Sequence, residues 1–368
     1  MIDFQKKIDR LKEESRYRSL QLPAGIDLTS NDYLGMAVHP ELRDTAIRAL
    51  QGDVHVGSAG SRLLRGHTQA HQNLEEYAAT YFKAGKALYL SSGFTANYAL
   101  LTTLPHRQDI IIYDSLVHAS MREGLSAVKS KSFKFEHNDL NTLEGLLKRY
   151  SDQAETIWIA VESVYSMDGD CAPLDQIYAL ADKYDAMLIV DEAHGTGICG
   201  EQGKGLSWNL IGAYGYERLI TLHTCGKAIG VAGGLICARE DIIDYMINSS
   251  RSFIYSTATM PVQALLVQKS LEIIASPDGD SRRKRLAKIS QAAQSLFGGS
   301  GTHIVPIIIG EDVQALRMAN SLQKEGFDIR AIRPPTVPVG SARLRLSLSS
   351  EVKDEDLQAF ASCFDALK

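Results

Sequence analysis

A chain of 368 residues has the length of about two domains and can bury a large apolar core, which excludes a peptide hormone or a disulfide-stapled mini-protein. Hydrophobic residues at 45% and charged residues at 23% sit near the globular average, and 39 Lys+Arg against 44 Asp+Glu leave a formal charge of −5, the opposite of a basic nucleic-acid footprint. The five cysteines, Cys171, Cys199, Cys225, Cys237 and Cys363, form no C-x-x-C pair and no zinc spacing, and read as buried free thiols of a reducing cytosol.

The opening stretch, MIDFQKKIDRLKEESRYR, carries charges every few residues where a signal peptide needs an apolar run. No stretch approaches the roughly 18 apolar residues of a membrane span, so the expectation is a soluble, cytoplasmic protein. Residues 1–38 read as an N-terminal arm, 39–262 as a large domain and 263–368 as a smaller α+β domain. Within the large domain, short apolar runs at Ala87–Leu90, Ile110–Tyr113, Thr156–Val161, Met187–Val190, Leu219–Leu222 and Gly234–Cys237 alternate with helix-period stretches. That alternation predicts an α/β fold with a mostly parallel central sheet flanked by helices. One such helix, Leu174–Tyr184, places Leu174, Ile177, Tyr178 and Ala181 on a stripe that would cover a sheet. Further on, a helix over Val262–Ala275 ends at Ser-Pro-Asp-Gly. A basic helix follows, with Asp280 and Ser281 as N-cap candidates and Arg282–Arg285 as a solvated face. His303–Ile309 and Ser341–Leu348 then read as two alternating strands.

Two motifs are decoys. Gly195-Thr-Gly-Ile-Cys-Gly200 spells the dinucleotide fingerprint, but turn-formers follow it where the fingerprint needs a helix. Asp191-Glu-Ala-His194 spells a helicase box, but the chain has no phosphate loop to accompany it.

What remains is a set of strand exits. Met187–Val190 is continuously apolar, so it is a buried parallel strand, and it delivers Asp191 and His194 at the edge where ligands of open α/β sheets bind. Leu219–Leu222 runs into His223-Thr-Cys-Gly-Lys227, a lysine in a sparsely charged, glycine-flanked stretch, where desolvation makes an amine a Schiff-base nucleophile. Ala87–Leu90 runs into Ser91-Ser-Gly93-Phe94 and a helix, whose open amides form a phosphate cup. Ile110–Tyr113 delivers His118. A lysine, an acid, a phosphate anchor and a flat ring are the parts that pyridoxal phosphate needs.

At these residues the chain resembles the α-oxoamine synthase family of fold-type I pyridoxal-phosphate enzymes over nearly its whole length. The matching segments are Ser30-Asn-Asp-Tyr-Leu-Gly35, Gly57-Ser-Ala-Gly-Ser-Arg62, Ser92-Gly-Phe-Thr-Ala-Asn97, His118-Ala-Ser120, Glu162-Ser-Val-Tyr-Ser-Met-Asp-Gly-Asp170, Asp191-Glu-Ala-His-Gly-Thr-Gly197 and Thr224-Cys-Gly-Lys227. The C-terminal stretch Ile332-Arg-Pro-Pro-Thr-Val-Pro-Val-Gly340 with Ala342-Arg-Leu-Arg345 is similar to the branch that joins L-alanine to pimeloyl-CoA in biotin biosynthesis.

The resemblance implies that Lys227 bonds the cofactor and moves the α-proton, that Asp191 pairs with the pyridinium, and that His118 stacks on the ring and helps activate the thioester. It further implies that His194 and Ser166 bond the phenolic oxygen and that Gly93, Phe94 and Thr224 hold the phosphate, joined by Thr257 of a second subunit in a homodimer. Asn31 and Arg345 would grip the substrate carboxylate, with Arg343 as the alternative, read on the opposite face of the same strand. Arg16, with Arg18, is the candidate donor to the far carboxylate of the acyl chain, set against the reading of both as exposed arginines on a terminal helix. Two departures stand near the expected acyl entrance: Ala59 replaces a glycine usual in the family, and Ser207–Glu217 is a longer connection. The sibling chemistries, glycine with acetyl-CoA or serine with palmitoyl-CoA, share every cofactor residue, and a non-catalytic scaffold is the alternative from another class.

Overall fold

In the computed structural model, which describes residues 2–368, the chain separates into two compact units. The larger comprises residues 34–166 and 171–283, the smaller the described residues 2–33, 167–170 and 284–368. The change of texture read at residue 262 falls at the head of a helix, Pro261–Ile274, that counts with the larger unit.

The first strand, β1 (Ile26–Asp27), belongs to the smaller unit. The larger unit then supplies β2 (Lys86–Leu90), β3 (Ile110–Asp114), β4 (Lys131–Phe135), β5 (Ile157–Glu162), β6 (Met187–Asp191), β7 (Leu219–Thr224) and β8 (Gly234–Ala238). These pair in the order β2-β8-β7-β6-β5-β3-β4, with β8 antiparallel to both neighbours and every other pair parallel. This is the mostly parallel, helix-flanked sheet that the alternation of apolar runs predicts.

The central strands form where the sequence is apolar on successive residues, because a parallel strand covered by helices buries both faces. Ile111, Ala160, Ile189, Ile220 and Ile236 share one core with Leu88, Leu100, Met246 and Phe253. The stripe Leu174, Ile177, Tyr178 and Ala181 is buried on the helix Leu174–Lys183, as its spacing predicts. β4 escaped the sequence reading because Lys131 and Lys134 interrupt it; it is the edge strand, where lysines are tolerated and discourage further pairing. The order places β4 and β5 on opposite sides of β3, so the chain reverses direction across the sheet there and opens a crevice at the strand C-termini.

In the smaller unit β9 (Ile304–Gly310), β10 (Phe327–Asp328), β11 (Ala331–Ile332) and β12 (Ala342–Ser347) follow; β11-β12-β9 form an antiparallel sheet and β1 pairs with β10. β12 does not alternate as its sequence suggests: every residue is buried. The basic helix begins at Pro277, earlier than the capping residues named above, with proline at the position where it is pre-organised for a helix start. Arg282 and Arg283 are likewise not a solvated face, since they donate to the backbone oxygens of Leu34 and of Ile274 respectively. Of the cysteines only Cys225 and Cys237 are fully enclosed, whereas Cys171 is exposed. Among the described residues no helix is long and apolar enough to cross a membrane.

Candidate active site

Four strand exits of the larger unit meet at one edge. β6 ends in Asp191, 3% exposed, and its carboxylate is fixed from two sides: Asn97 Nδ2 donates to Oδ2 at 2.6 Å and Ala193 N–H donates to Oδ1 at 2.8 Å. Three residues on, His194 Nε2 lies 2.6 Å from Lys227 Nζ, which joins the exit of β6 to that of β7. Lys227 is half-buried. At the exit of β3, His118 caps the helix Ala119–Ala127 through its own ring, with Nδ1 accepting from Ser120 N–H at 3.2 Å and lying 2.8 Å from Ser120 Oγ. Accepting at Nδ1 places the ring proton of the neutral imidazole on Nε2. Burial and the Lys227 ammonium lower the His118 pKa while Asp191 raises it, with the net shift downward, so His118 is neutral at pH 7.

The β2 exit forms the expected cup. Ser92 caps the helix Gly93–Thr103 by accepting from Thr95 N–H at 3.0 Å, leaving the Gly93 and Phe94 amides at its open end. A Cβ at Gly93 would stand 2.7 Å from Thr224 Oγ1, so only glycine lets the cup close against the β7 exit. These residues fit pyridoxal phosphate: an anion cradle, a lysine touching an imidazole, and an acid oriented by two donors lie along one edge. Phe94 is 48% exposed. Thr257 is exposed as well, bridging to Ser61 of its own chain. Ser166 is buried, and its backbone N–H donates to Glu162 Oε2 at 3.2 Å.

The glycine-rich decoy has a structural explanation. Glu192, the residue after Asp191, points the other way and is fully buried, accepting from Ser163 Oγ at 2.6 Å, Leu206 N–H at 3.0 Å, and the Ser207 amide and hydroxyl at 2.6 Å each. Gly205 stands where a Cβ would lie 2.7 Å from that carboxyl carbon, at φ +104°. The segment that spells a fingerprint is a loop wrapped round one glutamate. Ala59 sits at φ +55°, in the left-handed region that glycine favours, which accounts for the glycine usual at that place in the resembling family.

The remaining predicted residues lie in the smaller unit. Arg345 donates to Asn31 Oδ1 at 3.1 Å and to Ser347 Oγ at 2.5 Å. Arg343, two residues away, shares its strand face rather than opposing it, and is distinguished by its partner, Asp168, at 2.5 Å. Arg16 and Arg18 do not lie on the terminal helix, which ends at Glu13. Arg16 pairs with Glu14 and with Asp312, at 3.3 and 3.4 Å, and Arg18 donates to Thr336.

Sequence reasoning assigned no role to Asn97, Glu162 or Glu192. Asn97 lies in the segment Ser92–Asn97, and its spacing from Gly93 by one helical turn is the available signal.

The aminotransferase class I and II family matches residues 23–364 of the chain. A curated 8-amino-7-oxononanoate synthase of Chromobacterium violaceum is 43% identical, over 91% of this chain and 87% of that protein. Among solved structures, an 8-amino-7-oxononanoate synthase from Francisella tularensis superposes with a TM-score of 0.76 at 26% identity, covering 93% of this chain and 97% of that one. A structure described as SPT with PLP superposes with a TM-score of 0.89 at 25% identity, over 100% of this chain and 98% of that one.

Proposed function

The chain belongs to the aminotransferase class I and II family and, within it, to the α-oxoamine synthases, and from that premise we propose that it is a pyridoxal-phosphate-dependent acyltransferase of biotin biosynthesis. It condenses L-alanine with a pimeloyl thioester, releasing CO2 and the thiol, to give 8-amino-7-oxononanoate. The bound cofactor supplies an electrophilic aldehyde and an electron sink. Lys227 provides the amine that holds it and then moves the α-proton of the amino acid, with His194 2.6 Å away to orient that amine. Asp191, held by Asn97 and Ala193, keeps a proton on the pyridine nitrogen. His118, its Nδ1 engaged by Ser120, would stack on the ring and leave Nε2–H as the atom that assists at the thioester carbonyl. His194 and Ser166 serve the phenolic oxygen, and the Gly93 and Phe94 amides with Thr224 hold the phosphate.

Asn31 and Arg345 take the substrate carboxylate, a bidentate task for which a guanidinium already oriented by an amide oxygen is suited. Arg16 takes the distal pimeloyl carboxylate, exchanging it for Asp312. The working unit is a cytoplasmic homodimer in which Thr257 of a second copy completes the phosphate site. Leu64 and Tyr255, 80% and 73% exposed on the two segments joined by the Ser61–Thr257 bridge, support that assembly, since large apolar groups gathered outside a core mark a covered surface.

The observation that carries the reading is that Lys227, His194, Asp191 and His118 converge at one sheet edge in a chain 43% identical to an 8-amino-7-oxononanoate synthase. Purified protein assayed with alanine, glycine and serine against acyl-CoAs of two to sixteen carbons tests it. Pimeloyl-CoA with L-alanine is expected to give the highest kcat/KM, with glycine about 10- to 100-fold lower because a single methyl discriminates by only about 1–3 kcal/mol. A higher value for acetyl-CoA with glycine, or for palmitoyl-CoA with serine, would move the chain to the sibling chemistry.

A further inference from the structure

The edge carries a second buried carboxyl group that this scheme does not use. Glu162 ends β5 as Asp191 ends β6, and the two are paired in register on adjacent parallel strands. In-register neighbours point to the same face with backbones about 4.8 Å apart, so the two carboxyl groups share one enclosure. They are 1% and 3% exposed, and water screens neither.

Their hydrogen bonds are unequal. Asp191 receives an amide donor on each oxygen, at 2.6 and 2.8 Å. Glu162 receives a single backbone donor, Ser166 N–H, at 3.2 Å on Oε2, while Oε1 is buried without a partner. An ionised carboxylate with one oxygen undressed in the interior is far costlier than an acid, and two carboxylates in one dry enclosure do not both ionise.

We propose that Glu162 is an uncharged carboxylic acid and a positioning residue: it tethers the β5 exit that bears Ser166 and leaves the negative charge of the pair on Asp191. The groups facing it agree. Burial pushes its pKa well above the ordinary carboxylate value, Asp191 on β6 and Asp114 on β3 add to that rise, and the Lys227 ammonium and the Ser166 amide oppose it without reversing it. Asp114 is itself committed to His137, 2.9 Å away. A neutral neighbour matters because a second negative charge beside Asp191 would drive a proton onto one of the pair, and Asp191 serves the pyridine nitrogen only while ionised. The proposal therefore rests on the reading of Asp191 given above.

The test uses the holoenzyme with carbon-13 in its glutamate carboxyl groups. Infrared spectra at pH 7 are expected to contain the carbonyl band of a protonated carboxylic acid that is lost in Glu162→Gln. That variant carries a neutral group of the same shape, so it is expected to fold, to keep the cofactor's absorption spectrum and its pH profile, and to hold kcat within about threefold. Glu162→Ala, which releases Ser166 N–H, is expected to lower kcat about tenfold with the KM for alanine little changed. The proposal is overturned by absence of the band, by a Gln variant that does not fold, by a displaced pH profile in that variant, or by equal losses in the Gln and Ala variants. Because the band is read without turnover, the outcome is separable from failure of the Asp191 reading, which would show as wild-type turnover in Asp191→Asn with the band still present in the native chain.

Discussion

The two ends of the central sheet carry the same residue type in opposite circumstances. At the N-terminal end Asp109 is buried and saturated: Oδ2 accepts from His106 N–H at 2.8 Å and Trp158 Nε1–H at 3.0 Å, and Oδ1 from Thr156 N–H at 3.2 Å. It ties the starts of β3 and β5 together and has no chemistry to offer. At the C-terminal end Asp191 is equally enclosed, but its donors come from a side chain that also engages Ser120 and from one backbone amide. A lysine, two imidazoles and an acid stand around it. Burial alone does not separate a structural carboxylate from a working one. The separation lies in whether its neighbours are backbone groups that need a cap or side chains that can exchange protons and ligands.

The largest effects are expected at the working end. Lys227→Ala removes the amine proposed to bond the cofactor, and turnover is expected to fall by about 10³–10⁴, the scale of a lost nucleophile and proton carrier. Borohydride reduction and peptide mapping of the native chain are expected to place the pyridoxyl group on Lys227; label on another lysine would break the assignment. Asp191→Asn preserves shape and loses charge, so kcat is expected to fall by roughly 10²–10³ while the melting temperature is nearly unchanged. Turnover close to the native value would remove Asp191 from the chemistry.

At the other end the loss moves from turnover to stability. Asp109→Ala leaves the buried Trp158 indole N–H and the half-buried Thr156 amide without this acceptor, at a cost of about 2–4 kcal/mol in denaturant-measured stability. The folded fraction is expected to keep the native cofactor spectrum and kcat. A variant of native stability with altered kcat would erase the contrast between the two ends.

Legibility in the sequence followed the same division. β3, β5 and β6 are apolar runs closed by a polar residue and β7 is apolar apart from Thr221 and its last two residues, so the exits of β3, β6 and β7 lead directly to His118, to Asp191, and to Thr224 with Lys227. β4 was not, because an edge strand is selected for lysines rather than for burial on both faces. Glu192 was not either: its role exists only once the segment 195–207 has folded over it, and no local pattern announces a carboxylate that receives donors from residues 14 and 15 positions away. Arg282 and Arg283 read as solvated for a similar reason, since the carbonyls they hold at Leu34 and Gly197 are distant in sequence.

His223 sharpens the comparison, because it sits at the working end yet is saturated like Asp109. It precedes Thr224 on β7, its ring stacks on Phe82 with centroids 3.7 Å apart, and its two nitrogens each lie 2.8 Å from a threonine hydroxyl, Thr196 at Nδ1 and Thr221 at Nε2. Hydroxyl protons assign its tautomer. Thr196 gives its one proton to the Glu192 carbonyl at 2.8 Å, so it accepts from Nδ1–H; Nε2 is left to accept from Thr221. A second ring proton would have to displace the Thr221 hydroxyl in a dry site, and burial pushes the pKa from 6.5 down to about 3. The unfolded chain takes up that proton below about pH 6.5 and the folded chain does not, so ν_U exceeds ν_N and stability falls as the pH is lowered from 6.5 toward 3. The loss from this one ring amounts to about 2 kcal/mol at pH 5. His223→Gln offers a donor and an acceptor without a titratable site; whatever it costs at pH 7, urea-measured stability between pH 6 and pH 4 is expected to fall less steeply by about 1.4 kcal/mol per pH unit. Its cofactor spectrum is expected to be that of the native chain. A slope identical to the native one would place the acid sensitivity elsewhere, and a shifted cofactor spectrum would move His223 across the line that separates it from His194.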